Sequence, residues 1–272
     1  MPGENLPALL KGKRVLVTRA QHQSAAMCAR IRDYGGEAVQ VPLIDYRQAP
    51  LSYEERKNWL DAVQQADWVI LTSRNSLDFF MNLLDRRERL QGIRLAVVGK
   101  KTGEHLKTYG LRADFIPEAF TVQGLLDAFS DHRFKADRVV VPFGSLSDIG
   151  WLEKLRDLGI RVTSCVLYQT EANVSSQARL EGIIESGSLS AITFASPSAV
   201  RFFKEFLTER AWRGAMKKCT IAAIGLTTAQ ALDALGYAPD VVPARFTAVD
   251  MIDALANYYS NNEGSHRNEQ QS

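Results

Sequence analysis

The sequence predicts an α/β protein made of two similar doubly wound parallel-sheet domains. Two observations carry that expectation. Short β-branched and apolar runs alternate with amphipathic stretches along nearly the whole chain, the pattern of strands linked by crossover helices. The C-terminal half also repeats the N-terminal half. Setting residues 99–128 against 225–254 matches Gly99/Gly225, Thr102/Thr228, Leu106/Leu232, Gly110/Gly236, Asp114/Asp240, Pro117/Pro243, Phe120/Phe246, Thr121/Thr247, Asp127/Asp253 and Ala128/Ala254. Average residue frequencies would match roughly two. A second register, 124 residues apart, pairs Arg14-Val15-Leu16-Val17 with Arg138-Val139-Val140-Val141, and Arg32, Asp33 and Gly35 with Arg156, Asp157 and Gly159. Two such modules leave a cleft, the usual place for a ligand.

Strands are predicted at 14–18, 38–41, 68–72, 94–98, 113–116, 138–142, 161–166, 191–195, 220–224 and 240–242. Val69-Ile70-Leu71 and Val139-Val140-Val141 are continuous apolar runs, as expected of strands covered on both faces. Helices are predicted at 24–34, 76–86, 103–109, 122–129, 151–158, 199–207, 228–235 and 248–258. Gly35, Gly110, Gly159 and Gly236 close four of them. Each half reads as five strand units. A plain tandem would divide the chain near residue 132. A swapped layout would have the chain leave the first module after its second strand and return after the second strand of the repeat, through 41–50 and 166–173. Periodicity does not choose between the two.

Composition excludes several classes. Of 272 residues, 46% are apolar and 24% charged, with a net charge of +2 and no large basic block, so nucleic acid is not an expected partner. No apolar run approaches the ~20 residues of a membrane span, and residues 1–11 lack a signal-peptide pattern. Cys28, Cys165 and Cys219 are widely spaced and read as free buried thiols of a cytoplasmic protein. His22, His105, His132 and His266 form no ligand spacing, so no metal is expected. The polar tail 261–272 reads as disordered.

In open parallel sheets the ligand lies at the carboxyl ends of the strands. Those ends hold Thr18-Arg19, Thr72-Ser73-Arg74-Asn75, Gly99-Lys100-Lys101-Thr102, Pro142-Phe143-Gly144-Ser145, Ala195-Ser196-Pro197-Ser198, and Gly225 with Thr227-Thr228; Phe120-Thr121 and Phe246-Thr247 open the helices after the fifth strands. Capping of helix amides explains each hydroxyl singly. As a set they also suit carboxylates or phosphates bound at helix starts. GxGxxG after a strand, GxxxxGK[ST], GxSxG and HExxH are absent, and no Ser-His-Asp set stands out. A nucleotide cofactor, a catalytic metal and a covalent serine are therefore not expected.

Taken in order, the segments Val15-Leu16-Val17-Thr18-Arg19, Leu71-Thr72-Ser73-Arg74-Asn75-Ser76, Val98-Gly99 with Thr102, Tyr168-Gln169-Thr170, Phe194-Ala195-Ser196-Pro197-Ser198-Ala199-Val200 and Ile224-Gly225 with Thr227-Thr228 resemble the uroporphyrinogen-III synthase family, from about residue 12 to 258. The resemblance implies the swapped layout: one domain from 1–42 plus 173–260, the other from 48–166, with linker strands at 43–47 and 167–172. It implies a cytoplasmic, monomeric, cofactor-free lyase of tetrapyrrole synthesis. Such an enzyme closes hydroxymethylbilane to uroporphyrinogen III with inversion of ring D and loss of water, through azafulvenium and spiro intermediates. Handover of the substrate from hydroxymethylbilane synthase is the implied partnership.

The family's tyrosine beside the linker falls on Tyr168, where it would help the hydroxyl leave; the alternative is that Tyr168 packs the linker. Thr227 and Thr228, Ser196 and Ser198, and Thr72 with Ser73 fall on the family's hydroxyl positions. Thr18, Arg19, Asn75, Gly99, Thr102, Gly144, Ser145, Gly225 and Thr247 complete the expected substrate-binding set. One departure stands out: many members carry Arg where this chain has Phe143. The competing reading is a hinged two-domain binding or sensor protein without catalysis.

Overall fold

The computed structural model describes residues 7–84, 86–131, 133 and 136–269. The start of the region read for a signal peptide, Asp85 of the helix predicted over 76–86, His132 and the last three residues of the tail lie outside them. In chain order the elements are β1 (Arg14–Val17), α1 (Gln21–Asp33), β2 (Glu37–Gln40), β3 (Ile44–Gln48), α2 (Tyr53–Gln64), β4 (Trp68–Leu71), α3 (Arg74–Leu83), β5 (Arg94–Val97), α4 (Lys100–Leu106) and α5 (Val122–Ser130). There follow β6 (Arg138–Gly144), α6 (Trp151–Asp157), β7 (Arg161–Ala172), α7 (Gln177–Glu185), β8 (Ala191–Phe194), α8 (Pro197–Glu205), α9 (Glu209–Lys218), β9 (Thr220–Ala223), α10 (Leu226–Asp233) and α11 (Ala248–Glu269). The chain divides into a unit of residues 1–45 with 171–272 and a unit of residues 46–170.

The discontinuous unit holds a sheet of order β2-β1-β8-β9. Its pairs are parallel, and β1 meets β8 with Val15 opposite Ala191. The N-terminal strands thus join strands from the last third of the chain. Helices follow the same rule, because Arg30 Nε of α1 reaches Asp253 Oδ1 of α11 at 2.5 Å and Tyr34 Oη donates to the same oxygen at 3.0 Å. Val15, Val17, Met27, Ile31, Met251, Ile252 and Leu255 form the core on one side of this sheet.

The second unit holds a sheet of order β3-β7-β6-β4-β5. Its continuous apolar runs are split between two cores. Val69 and Leu71 face one with Phe80, Leu106 and Leu167, while Trp68 and Ile70 face the other with Leu125, Phe129 and Leu155. Side chains alternate across a strand, so a run apolar at every position is what two covered faces require. β3 lies beside β7; Ala49 N donates to Leu167 O and Asn173 N to Leu43 O. The numbers rise on one strand as they fall on the other, so these two run antiparallel.

The repeat holds down to single hydrogen bonds. Leu95 N donates to Asp114 Oδ2 and Ile221 N to Asp240 Oδ2, both at 2.7 Å. Val97 N donates to Phe115 O, and Ala223 N to Val241 O. Gly110 and Gly236 both take positive φ, 73° and 81°, closing their helices where a side chain would be strained.

Three sequence expectations need correction. The strands predicted at 113–116 and 240–242 shrink to single bridges, Ala96 with Phe115 and Ala222 with Val241. Asp114 and Asp240 spend their carboxylates on the second amide of the neighbouring strand, that of Leu95 and of Ile221, and Pro117 and Pro243 lack the N–H to extend a ladder. The tail is helical as far as Glu269, since a helix anchored by Met251, Ile252, Leu255 and Ala256 adds further turns without a new nucleation cost. Finally, α2, α7 and α9 were not expected at all. They bury few residues: Trp59, Leu60 and Val63 in α2, Leu180 in α7, and Trp212, Ala215 and Met216 in α9.

Candidate active site

In the unit of residues 46–170, Tyr168 lies on β7 opposite Gly144 of β6, where the register slips: Phe143 pairs with Val166 and Gly144 with Tyr168. Such a bulge re-aims side chains. The Tyr168 ring stacks on Phe79 with centroids 4.9 Å apart and meets Tyr46 edge-on at 5.8 Å. It lies flat over Gly144, where a Cβ would stand 2.3 Å from Tyr168 Cζ. Glycine is therefore a steric requirement there. Tyr168 is 7% exposed, and burial raises its pKa above the ordinary tyrosine value, opposed by hydrogen bonds with Ser73, Ser147 and Asn75. A phenol in that state stays protonated at neutral pH and acts as a hydrogen-bond donor rather than as a base.

Its partners are themselves fixed. Ser73 caps α3, accepting from Ser76 N at 3.0 Å, while Ser73 N donates to Ser76 Oγ at 3.1 Å. Ser147 Oγ accepts from Gly144 N at 3.1 Å. Ser145 N donates to Tyr168 O, and Ser145 Oγ accepts from Thr170 N at 3.1 Å. Thr72 is half-buried at the end of β4. Gly99 caps α4 without a side chain, and Thr102 is buried one turn later. Ser73, Asn75 and Gly144 are thus brought onto Tyr168, with Ser145 on its carbonyl. Gly99 and Thr102 follow the neighbouring strand β5, which pairs with β4.

The other unit offers its own strand ends. Ser196 caps α8, accepting from Ala199 N at 3.2 Å, and its Oγ lies 3.0 Å from Ser198 Oγ. Gly225 caps α10; Thr227 is exposed and Thr228 buried behind it. Thr247 accepts from Asp250 N at 3.1 Å at the start of α11. Thr18 is spent internally: its hydroxyl donates to Thr193 O at 2.8 Å, and Thr193 Oγ1 to Leu16 O, which ties β1 to β8. Arg19 Nε donates to Gln23 Oε1 at 3.2 Å. Sequence reading missed Tyr46, Phe79 and Ser147. Only the Ser-x-Ser of 145–147 after a strand end carried a local signal; the aromatic contacts are made at long range. Among the described residues no group of three His, Cys, Asp or Glu could hold a metal ion.

Fold and site together define a two-unit, doubly wound α/β protein whose strand ends carry capping hydroxyls and, in one unit, a buried protonated tyrosine. The sequence profile described as Uroporphyrinogen-III synthase HemD matches residues 25–253. The uroporphyrinogen-III synthase of Chlorobaculum parvum is 28% identical over 252 residues, covering 90% of this chain and 98% of that protein. Two solved structures share the fold: a mutant uroporphyrinogen III synthase of Thermus thermophilus (TM-score 0.62, 20% identity, 92% of this chain and 99% of that one) and the uroporphyrinogen-III synthetase of Helicobacter pylori (TM-score 0.61, 16% identity, 90% and 98%). The chain belongs to the uroporphyrinogen-III synthase family, cyclising lyases of tetrapyrrole synthesis.

Proposed function

We propose that Tyr168 is the proton donor in closure of hydroxymethylbilane to uroporphyrinogen III by this chain. The observation that supports this most is the placing of the Tyr168 hydroxyl, held by Ser73, Asn75 and Ser147 at a strand end. In the proposed course, the C–O bond of the terminal hydroxymethyl group breaks as the pyrrole nitrogen pushes its electron pair toward the ring. The oxygen leaves as water with a proton delivered along the Tyr168 hydrogen bond. The azafulvenium so formed is attacked through ring D, passes through a spiro intermediate, and closes with ring D inverted. The proton released from pyrrole restores Tyr168. Loss of hydroxide from a bilane is intrinsically easy, so the protein's work is geometric.

In the unit that carries Tyr168, acetate and propionate groups would be taken by helix-start amides and hydroxyls at Ser73, Gly99, Thr102 and Ser145; the other unit offers carboxylate-binding groups of the same kind at Ser196, Ser198, Gly225, Thr227 and Thr247. Thr72, Arg19 and the buried Thr228 stand beside those groups, and Thr18 supports the β1 end. With Phe143 where many relatives have Arg, that strand end gives Gly144 and Ser145 without a cation. We read the working form as a cytoplasmic monomer that receives its substrate from hydroxymethylbilane synthase. Supplying purified protein with hydroxymethylbilane and separating the porphyrin isomers tests the proposal; type III product is expected, and type I product alone contradicts it.

A further inference from the structure

We propose that Phe120 and Phe246 are ring-contacting residues that set ligand specificity, each offering an aromatic face to a pyrrole ring; this rests on the functional reading above. Both phenylalanines are large and open to solvent, 51% and 55% exposed. Each directly precedes the threonine that caps the next helix: Thr121 accepts from Gly124 N and Thr247 from Asp250 N, both at 3.1 Å. An apolar residue in that place usually staples itself to one four positions past the cap, here Leu125 and Met251. Leu125 and Met251 are fully buried in their cores, whereas each phenylalanine leaves about half of its surface open to solvent.

Two local features show that the chain accommodates these rings at a cost. Phe120 has φ 51°, the one positive value at a non-glycine position among the described residues; glycine would adopt it freely, whereas a bulky residue there is strained. Phe246 lies over Gly225, where a Cβ would come within 3.1 Å of its ring. The residue at the head of α10 therefore lets the ring settle beside that helix start and the exposed Thr227. The same strand ends expose Leu226 in this unit and Leu146 and Ile149 in the other. Apolar planes standing beside amides and hydroxyls suit a ligand whose flat, electron-rich rings bear short carboxylate arms. Exposed apolar side chains beside helix-start amides are the kind that mark a recognition site.

Phe246→Ala, Phe246→Tyr and Phe120→Gly test this, with kcat and KM for type III product, melting temperature, and titration with uroporphyrin III as fluorescent probe. Phe246→Ala should raise KM and weaken uroporphyrin III binding roughly tenfold, the scale of one lost ring contact, at unchanged melting temperature. Phe246→Tyr should stay within about twofold of wild type. Phe120→Gly should raise KM while its melting temperature holds or rises. Type III product from wild type with KM unchanged in both truncations overturns this inference alone, as does a loss that follows a fall in melting temperature, which would make the rings helix-start packing. Type I product alone from the wild type overturns the functional reading and this inference with it.

Discussion

Gly144 and Tyr168 are set by one steric fact: the phenol ring occupies the space a Cβ on residue 144 would need. Gly144→Ala must push the ring off Phe79 or spread the two strands. Overpacking of this kind costs about 1–3 kcal/mol, so a lowered melting temperature and loss of type III product should appear together. Unchanged melting and activity would show that the ring is not held as described. Tyr168→Phe keeps the stacked ring and removes only the hydroxyl. It should slow type III formation at least tenfold, about 1.4 kcal/mol of transition-state stabilisation, with melting nearly unchanged. An unchanged rate would return Tyr168 to the packing role that was its alternative. At this scale the sequence was only partly legible. Tyr168 stood out through family resemblance, and Ser73 through its capping position. Phe79 and Tyr46 could not be read, because their contacts with Tyr168 join residues far apart in sequence.

Ser73 and Ser52 begin helices in the same way: each accepts from the amide three residues on, and each has its own amide bonded back by the third residue's side chain. Truncating either to Ala should cost about 1 kcal/mol of stability. Of the two, only Ser73→Ala should also slow type III formation, because Ser73 bonds the Tyr168 hydroxyl and Ser52 does not. Equal kinetic effects in thermal melts and assays run side by side would remove Ser73 from the site. Elements with strong periodicity were the readable ones: β4 and β6 as continuous apolar runs, α8 and α10 after small capping residues. Elements that bury few residues, such as α7 on Leu180, left little pattern. The fifth strands were overread because the apolar residues at 115 and 241 make one bridge each before proline intervenes.

Duplication organises the molecule, and it was visible in sequence as matched positions 126 residues apart. It could not tell tandem from swapped modules, since both leave the same periodicity, and the pairing of β1 with β8 joins residues too far apart in sequence to be read from it. Burial of two thiols also sets the response to alkali. Burial pushes the thiols of Cys165 and Cys219 from 9.0 up to about 11. Between those values the unfolded chain has lost protons that the folded chain keeps, so this contribution is fully present below pH 9 and lost as pH rises through 11. Buried Tyr168 and half-buried Tyr259, raised above 10.0, steepen the fall at its upper end. Melting temperature should therefore drop from pH 9 to 11, less steeply in Cys219→Ala; a flat profile would contradict that burial.

In the proposed mechanism this chain directs ring closure of a linear tetrapyrrole through the hydroxyl of Tyr168. Isomer analysis of the product from hydroxymethylbilane tests it most directly, with wild type and Tyr168→Phe run in parallel. The account predicts type III product from the wild type, and from the variant a rate at least tenfold lower with the balance appearing as the unassisted type I isomer. Type I product alone from the wild type, or equal type III rates from both proteins, would contradict it.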